Sequence, residues 1–339
     1  MNKIVECVPN FSEGRDIKTI NAIAGAISRV AGVKFISAEP NADYNRTVVT
    51  FIGAPDAVVE GAFEGTQAAT ELIDMRVHQG EHPRLGATDV VPFVPVGGME
   101  MEECVAMARA FGRRVGEELQ LPVYLYEEAA TRPERKNLAN VRKGEYEGLE
   151  EKLKEAAWKP DFGPAVFNPK SGAVITGARM FLIAYNVNLA TSDVKAASEI
   201  AGRIRESGRV RKDEQGNPVV GSDGKKVVLP GTLKSVKAMG VALESHNIAQ
   251  VSMNLTNFHV ASLHGAFEEV KKQAAGLGIE VTGSEIVGLT PVEALILAGK
   301  FYAPGVSGEE ALIREAIKRL GLDELEPFDV QKKVIEYQC

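Results

Sequence analysis

Residues 33–53 read VKFISAEPNADYNRTVVTFIG and contain two strand-like segments on either side of a polar turn. Segments 33–38 and 46–52 are rich in β-branched and aromatic residues, the types that are enriched in strands. The turn at 39–45 is short, so the two segments are predicted to lie side by side as paired strands. This strand pair is the centre of the first predicted folding unit.

Helical periodicity flanks the strand pair on both sides. In residues 16–30, isoleucines recur at helical spacing from Ile17 onward, and Gly32 follows as a stop signal. In chain order, a strand, a helix, two strands, a helix and a strand are predicted at 3–8, 16–30, 33–38, 46–52, 57–73 and 90–96. The prolines in the last strand favour an edge position or a bulge. This β-α-β-β-α-β order is that of the ferredoxin-like unit.

The second half of the chain repeats this order of elements. The corresponding predicted strands and helices lie at 181–188, 193–206, 234–242, 249–255, 262–277 and 280–282. A hairpin insertion is predicted at 212–230, where a Gly-Ser-Asp-Gly turn separates two Val-Val pairs. The predicted fold class is therefore α+β, with two ferredoxin-like (βαββαβ) subdomains and a ligand cleft or tunnel between them. We place the subdomains at 1–178 and 179–339, connected through the Gly- and Pro-containing stretch 161–176.

Composition limits the class of protein. The 339 residues are 45% hydrophobic, which is enough for two packed cores. A net charge of -7 argues against binding to nucleic acid. The three cysteines are far apart and predict reduced thiols rather than a disulfide framework. Without a signal region or a membrane-spanning run, we expect a cytoplasmic protein that does not bind membranes.

Residues 78–89, HQGEHPRLGATD, form a polar segment before the last strand of the first unit and contain two of the five histidines. Gly80 lies between His78 and His82, and Pro83 follows, which disfavours a helix that presents both rings to one metal ion. No metal site is predicted here. A histidine beside glutamate, arginine and aspartate favours proton transfer near neutral pH, with a merely solvent-exposed turn as the alternative.

Several blocks in chain order resemble the formiminotransferase family. They are VECVPNFSEGR from Val5, NRTVVTFIG from Asn45, GEHPRLGATDVVPFVPV from Gly80, DFGP from Asp161, GARMFLIAYNVNL from Gly177, IAQVSMNLTNF from Ile248 and GSEIVGLTP from Gly283. The resemblance implies transfer of a formimidoyl group between N5 of tetrahydrofolate and the amino group of L-glutamate, in histidine degradation. It also implies that tetrahydrofolate is a co-substrate, that L-glutamate or N-formimidoyl-L-glutamate is the other substrate, and that the protein is a homodimer. Because the chain ends at Cys339, we expect no cyclodeaminase domain.

The same resemblance implies the site residues. The family's catalytic histidine falls on His82, within GEHPR. The folate-binding stretch falls on residues 163–172, with matches at Gly163, Pro164, Phe167, Pro169 and Gly172. A carboxylate at the end of the second strand falls on Glu39. Because the formimidoyl group is cationic, Glu39 or Asp43 would stabilise it. The arginines expected to bind the carboxylates of glutamate or folate are Arg46, Arg84 and Arg179.

Two alternatives to this function stay open. The first is a glutamate formyltransferase that uses 5-formyltetrahydrofolate, because the oxygen and imine groups differ little in shape. The second is a folate-binding protein without catalysis. The presence of His82 argues against the second alternative, since binding alone has little need of a base.

Overall fold

The computed structural model describes residues 3–213 and 215–338, and its chain divides between Met180 and Phe181 into two compact units. We call residues 3–180 the N-terminal unit and residues 181–338 the C-terminal unit. Each unit contains its own sheet and its own helices, which confirms the predicted α+β class with two subdomains. In the described part of the chain, no helix has the length and apolar composition needed to cross a bilayer.

The N-terminal unit contains seven strands and five α-helices among its described residues. They are β1 (Val5–Cys7), β2 (Asn10–Phe11), α1 (Ile17–Ser28), β3 (Val33–Asn41), β4 (Arg46–Gly53), α2 (Pro55–Leu72), β5 (Thr88–Pro95), α3 (Met101–Glu118), β6 (Val123–Glu127), α4 (Leu138–Arg142), α5 (Leu149–Lys154) and β7 (Val174–Ala178). The predicted β-α-β-β-α-β order is present, and α3 to β7 extend it.

One row of the N-terminal sheet is shared by β1 and β2, which both pair with β4 and β5. The rows therefore follow the order β3, β4, β1 with β2, β5, β7, β6. The pairings from β3 to β5 are antiparallel, whereas β7 is parallel to both β5 and β6. The stretch 161–176 is not the connection that the sequence predicts, because it leads into β7 and belongs to the N-terminal unit.

The prolines of β5 do not place this strand at an edge, so the edge prediction was wrong. β5 pairs with β1 and β2 on one side and with β7 on the other. Proline removes one N–H donor but keeps its carbonyl, and the Pro92 carbonyl accepts from the Val8 N–H at 3.4 Å. The β2–β5 register shifts between Asn10 and Phe11, which agrees with the alternative prediction of a bulge.

Helix starts coincide with side chains that cap free backbone N–H groups. Asp16 precedes α1 and accepts from the Lys18 N–H at 3.0 Å. Glu100 and Glu103 form a reciprocal capping box at the start of α3. Local sequence therefore fixes where these helices begin.

The two faces of the N-terminal sheet differ in character. Val5 and Cys7 point into a large apolar core together with side chains of α1, α2 and α3. Because side chains alternate along a strand, Glu6 points to the opposite face, and so do Asn10 and Arg46. We call the surface defined by Glu6, Asn10 and Arg46 the polar face.

The C-terminal unit repeats the arrangement of the first four rows. Its elements are β8 (Ile183–Leu189), α6 (Val194–Ile204), β9 (Arg209–Val210), β10 (Val228–Leu229), β11 (Val236–Leu243), β12 (Ile248–Leu255), α7 (Leu263–Ala275), β13 (Val281–Val287), α8 (Val292–Tyr302), α9 (Glu309–Leu320) and α10 (Val330–Lys333). The antiparallel sheet has the order β11, β12, β8, β13. The hairpin predicted within 212–230 is confirmed, because the Val227 N–H donates to the Val219 carbonyl at 2.9 Å and Val220 bridges Lys226.

Candidate active site

The loop that carries His82 is tied to the turn between β3 and β4. Asn45 is buried in this turn, and its side-chain amide donates to the Gln79 carbonyl at 2.9 Å and accepts from the Gly14 N–H at 2.9 Å. The Nε2 of His78 lies 2.9 Å from the Asn45 carbonyl oxygen. Because a carbonyl only accepts, the His78 ring carries its proton on Nε2. Two segments far apart in sequence are thus held as one structure.

Gly80 lies where the two segments touch. A Cβ at this position would be 2.3 Å from the Tyr44 carbonyl oxygen, which is closer than non-bonded atoms approach. The next residue, Glu81, donates its N–H to the Asp43 carbonyl at 3.3 Å. Glycine at position 80 therefore allows the loop to approach the turn, and this contact limits where the His82 ring lies.

The His82 ring is half-buried next to Tyr44, with 6.1 Å between the ring centroids. Its Nδ1 is buried and has no hydrogen-bond partner in the described part of the chain. Burial lowers the pKa of His82 to about 4, against the opposing effect of Asp89, and the charges of Arg142 and Arg46 lower it further. The imidazole is therefore neutral at pH 7 and able to accept a proton.

An aspartate–arginine pair lies close to His82. Asp89 is 1% exposed and binds the guanidinium of Arg142 through both oxygens, with its Oδ1 3.3 Å from Nε. Asp89 also accepts from the Leu85 N–H at 3.0 Å, which fixes the carboxylate. The sequence did not single out Arg142, because it lies in a charged segment 53 residues after Asp89 and its pairing is a long-range contact.

Arg46 lies on the polar face beside this pair. Its Nη1 donates to the Asn10 side-chain oxygen at 2.7 Å, and its guanidinium carbon lies 6.0 Å from the centre of the Tyr44 ring. The Nε of Arg46 is buried without a partner among the described residues. Burial and the nearby Arg142 lower the pKa of Arg46. The structure therefore brings Arg46 and His82 into one electrostatic environment.

Arg84 is directed elsewhere. Its guanidinium is bound by Glu145 at 3.1 Å and by both oxygens of Glu147 at 2.6 and 2.8 Å, and its Nε donates to Nδ1 of His78 at 3.3 Å. Together with nearby loop residues, these side chains line a cavity of about 500 Å³. Two glutamates already neutralise the Arg84 charge, so in this conformation it supports the loop rather than offering a free cation.

Glu39 lies in β3 and is exposed, and it accepts from the Ser37 hydroxyl at 3.0 Å. It pairs across the sheet with Val48, and its charge raises the pKa of Arg46. Glu39 therefore lies on the same side of the sheet as the polar face. It belongs to the strand, although the sequence placed it in the turn.

Arg179 follows β7 and donates from Nη1 to the Met180 carbonyl at 3.0 Å. Its charge acts on Glu6 and on Tyr126. Glu6 was not predicted as a site residue. It lies between Val5 and Cys7 in β1, and all three residues are buried, a property that the sequence pattern alone does not report.

The segment 163–172 runs beside the loop of His82. Gly172 forms a bridge with Gly86, and the Ala87 N–H donates to the Ser171 carbonyl at 2.9 Å. Gly163 and Gly172 have positive φ angles of 77° and 67°, and both contact neighbouring backbone closely, which requires glycine.

Three further residues of this segment have intermediate or full exposure. Phe167 packs against Tyr146 with 5.4 Å between ring centroids, and the Tyr146 hydroxyl donates to the Pro169 carbonyl. Pro164 is half-exposed and Pro169 is exposed. Among residues 3–213 and 215–338, no group of three or more His, Cys, Asp or Glu is arranged to hold a metal ion.

Two family models match the chain, one for each unit. The model described as formiminotransferase domain, N-terminal subdomain, matches residues 4–179. The model described as formiminotransferase domain matches residues 184–339. Together they cover nearly the whole chain.

Curated relatives agree with these family models. A formimidoyltransferase-cyclodeaminase of Dictyostelium discoideum is 49% identical over 99% of this chain, which spans 60% of that protein. A glutamate formimidoyltransferase of Thermoplasma acidophilum is 48% identical over 88% of this chain and 92% of its own length. Another, from Streptococcus pyogenes serotype M1, is 41% identical over 99% of this chain and 98% of its own length.

Proposed function

Because the chain belongs to the formiminotransferase family, we propose that it is a glutamate formimidoyltransferase that moves the formimidoyl group between N5 of tetrahydrofolate and the amino group of L-glutamate. Tetrahydrofolate is then a co-substrate, and L-glutamate or N-formimidoyl-L-glutamate is the other substrate. The proposal includes a place in histidine degradation, a homodimeric assembly and a cytoplasmic location. The structural observation that carries it is the neutral, half-buried His82, whose Nδ1 has no hydrogen-bond partner among residues 3–213 and 215–338.

His82 is the general base and acid in this proposal. For transfer to glutamate, its neutral ring removes a proton from the substrate amine while the new carbon–nitrogen bond forms. The same ring returns that proton to N5 as the bond between N5 and the formimidoyl carbon breaks. Transfer in the other direction uses the two proton movements in reverse order. One side chain thus conserves the proton over the whole reaction.

The low pKa of His82 suits the second proton transfer. An imidazolium with a pKa of about 4 is a stronger acid than an ordinary imidazolium, so it more readily protonates a weakly basic leaving nitrogen. The same low pKa makes the ring a weaker base in the first step. Its full neutrality at pH 7 offsets this in part, since nearly every molecule carries the reactive form. General acid–base catalysis of this kind contributes about 10²- to 10⁴-fold to the rate.

Arginines near His82 can bind the negatively charged carboxylates of the substrates. Arg142 is paired with Asp89, whereas the Arg46 Nε has no hydrogen-bond partner in the part of the chain that the structure describes. A substrate carboxylate supplies the acceptor that Arg46 lacks and forms charge-assisted hydrogen bonds with it. Glu39, on the same side of the sheet, attracts the cationic formimidoyl group. Arg179 and Arg84 remain second choices, and Arg84 requires release from its two glutamates.

The segment 163–172 is the proposed folate contact. Its backbone is attached to residues 86 and 87, and so to the loop of His82. Phe167 provides an aromatic surface that is not fully buried, and the two positive-φ glycines fix the path of the chain around it. Aromatic side chains pack well against the flat rings of a folate.

Replacement of His82 tests the proposal. His82→Ala should reduce turnover with tetrahydrofolate and N-formimidoyl-L-glutamate by about 10²-fold or more, while the Kd for folate changes little. His246→Ala is a matched control, because His246 is exposed in the C-terminal unit. Turnover that is equal in the His82 and His246 variants would remove His82 from the reaction.

A further inference from the structure

Glu6 is a carboxylate in the interior of the N-terminal sheet. It lies in β1, pairs with Ile52 of β4 and Val94 of β5, and is 5% exposed. Its neighbours Val5 and Cys7 are fully buried on the helix-covered face, so Glu6 points to the polar face. A glutamate is rarely buried at this depth unless a partner compensates its charge.

That partner is not found within the residues that the structure describes. No hydrogen bond or ion pair to the Glu6 carboxylate forms among residues 3–213 and 215–338. The charge of Arg179 acts on Glu6 from a distance. Burial outweighs this charge and raises the pKa of Glu6 to about 7. The Glu6 carboxylate is therefore desolvated, and both of its oxygens can accept hydrogen bonds from a ligand.

The polar groups around Glu6 include donors as well as an acceptor. Tyr126 is buried, and the charge of Arg179 acts on its hydroxyl. The charge of Arg142 lowers the pKa of both Tyr126 and His82. Glu6, Tyr126 and Arg179 thus continue the electrostatic environment of His82 across the sheet.

We propose that Glu6 binds the 2-amino-4-oxopyrimidine edge of the folate pterin, accepting from N3–H and from the 2-amino group through its two oxygens. The proposal rests on the proposed function, because it concerns the folate of that reaction. Two adjacent parallel N–H donors match the two oxygens of a carboxylate. The 4-oxo group lies beside N3 and accepts from Arg179 or Tyr126. In this proposal N5, which is on the second ring of the pterin, lies on the side of the ligand that faces His82.

The competing ligand for Glu6 is the amine or formimidoyl group of the amino-acid substrate, which also donates N–H. In the proposed function, Arg46 binds the carboxylate of that substrate and Glu39 attracts its formimidoyl group. A flat donor pair suits Glu6 better, because the carboxylate projects from the middle of a sheet between Ile52 and Val94 rather than from a loop. The two assignments differ in which ligand loses affinity when Glu6 is changed.

Glu6→Gln provides the first test. At pH 8, titration calorimetry with 5-formyltetrahydrofolate should give a Kd about 10- to 100-fold weaker than for wild type, because hydrogen bonds to a charged group are replaced. Glu102→Gln is the matched control, since Glu102 is exposed on α3, and its Kd should equal that of wild type. Equal Kd values in wild type and Glu6→Gln would overturn the assignment, as would a loss confined to L-glutamate binding.

A change in the ligand provides the second test, and its first comparison uses the wild-type protein alone. Replacing the 2-amino group of 5-formyltetrahydrofolate by methyl should weaken binding to wild type by about 10-fold or more, and the loss should be much smaller in Glu6→Gln. Equal binding of both ligands to wild type would overturn the role of Glu6 and leave the transferase proposal standing. Failure of wild type to bind either folate would overturn both proposals.

Discussion

His78 and Asn45 join two loops of the site through a hydrogen bond from the His78 Nε2–H to the Asn45 carbonyl oxygen, 2.9 Å away. On the other side of the ring, Nδ1 accepts from Arg84 at 3.3 Å. Both ring nitrogens are therefore occupied. The two histidines of the same loop have different environments, because His78 is held by its neighbours while Nδ1 of His82 has no partner in the described part of the chain.

His78→Ala should therefore affect the loop more than the chemistry. The substitution leaves the Asn45 carbonyl and the Arg84 guanidinium with unmet hydrogen bonds, which costs about 1 to 3 kcal/mol of unfolding free energy. Turnover should fall because the His82 ring is less well positioned. Urea unfolding and steady-state kinetics measure the two effects. His78→Gln keeps a donor and an acceptor and should recover part of both losses; an alanine variant as stable as wild type would argue against this role.

Asp89→Asn should destabilise the protein strongly. It leaves the half-buried Arg142 without its carboxylate, and removing one partner of a buried ion pair costs about 3 to 5 kcal/mol. Asp89 also raises the pKa of His82, so that pKa should fall further below its ordinary value. Urea unfolding measures the first effect and an NMR titration of His82 the second. Asp56→Asn, at an exposed position of α2, should change stability by less than about 1 kcal/mol.

Gly80→Ala should disrupt the contact between the loop and the turn. The added Cβ meets the Tyr44 carbonyl oxygen, so the backbone must move and His82 moves with it. We expect a loss of turnover of at least about 10-fold. Gly25→Ala, inside α1, is the opposite case and should stabilise by up to about 1 kcal/mol, because alanine favours a helix. A Gly80→Ala variant with wild-type kinetics would show that the contact does not position His82.

The raised pKa of Glu6 predicts that the stability of the protein depends on pH. Its pKa in the folded state, about 7, lies above the ordinary value of 4.5, so the folded protein retains this proton more strongly than the unfolded chain. The stabilisation that Glu6 provides is complete below pH 4.5 and is lost as the pH rises through 7. Arg179 opposes the shift, and Cys7 beside Glu6 has a raised pKa and stays neutral.

Glu6→Gln removes this dependence. Compared with wild type, the variant should gain unfolding free energy between pH 5 and pH 8, on the order of 3 kcal/mol. Urea unfolding of both proteins at the two pH values gives the difference directly. A difference between the two proteins that does not change with pH would show that the Glu6 carboxylate is not desolvated in the folded state.

The sequence predicted the α+β class and the order of the elements because both follow from local periodicity. The isoleucines of α1 and the β-branched residues of β4 report which face each element buries. The place of β7 between β5 and β6 was not predicted, since parallel pairing depends on contacts between distant segments. The prolines of β5 led to the wrong prediction of an edge strand for the same reason. The residues of one strand do not report whether other strands pair with it on both sides.

The site was predicted in part. His82 and Arg46 lie in segments whose composition or resemblance marked them, and the structure places both in one environment. Arg84 was predicted to bind a substrate carboxylate, and the sequence did not reveal that Glu145 and Glu147 bind its guanidinium through contacts across more than 60 residues. Arg142 and Glu6 were missed because their significance comes from burial and pairing, which the sequence pattern around them does not report.

The transferase assignment itself is tested most directly by comparing one-carbon donors with the wild-type protein. Tetrahydrofolate incubated with N-formimidoyl-L-glutamate should yield L-glutamate and 5-formimidoyltetrahydrofolate, which absorbance and chromatography detect. Tetrahydrofolate incubated with N-formyl-L-glutamate should yield little product. Rapid transfer from the formimidoyl compound is the predicted result. Transfer from the formyl compound alone, or binding of folate with no transfer from either, would contradict the proposed function.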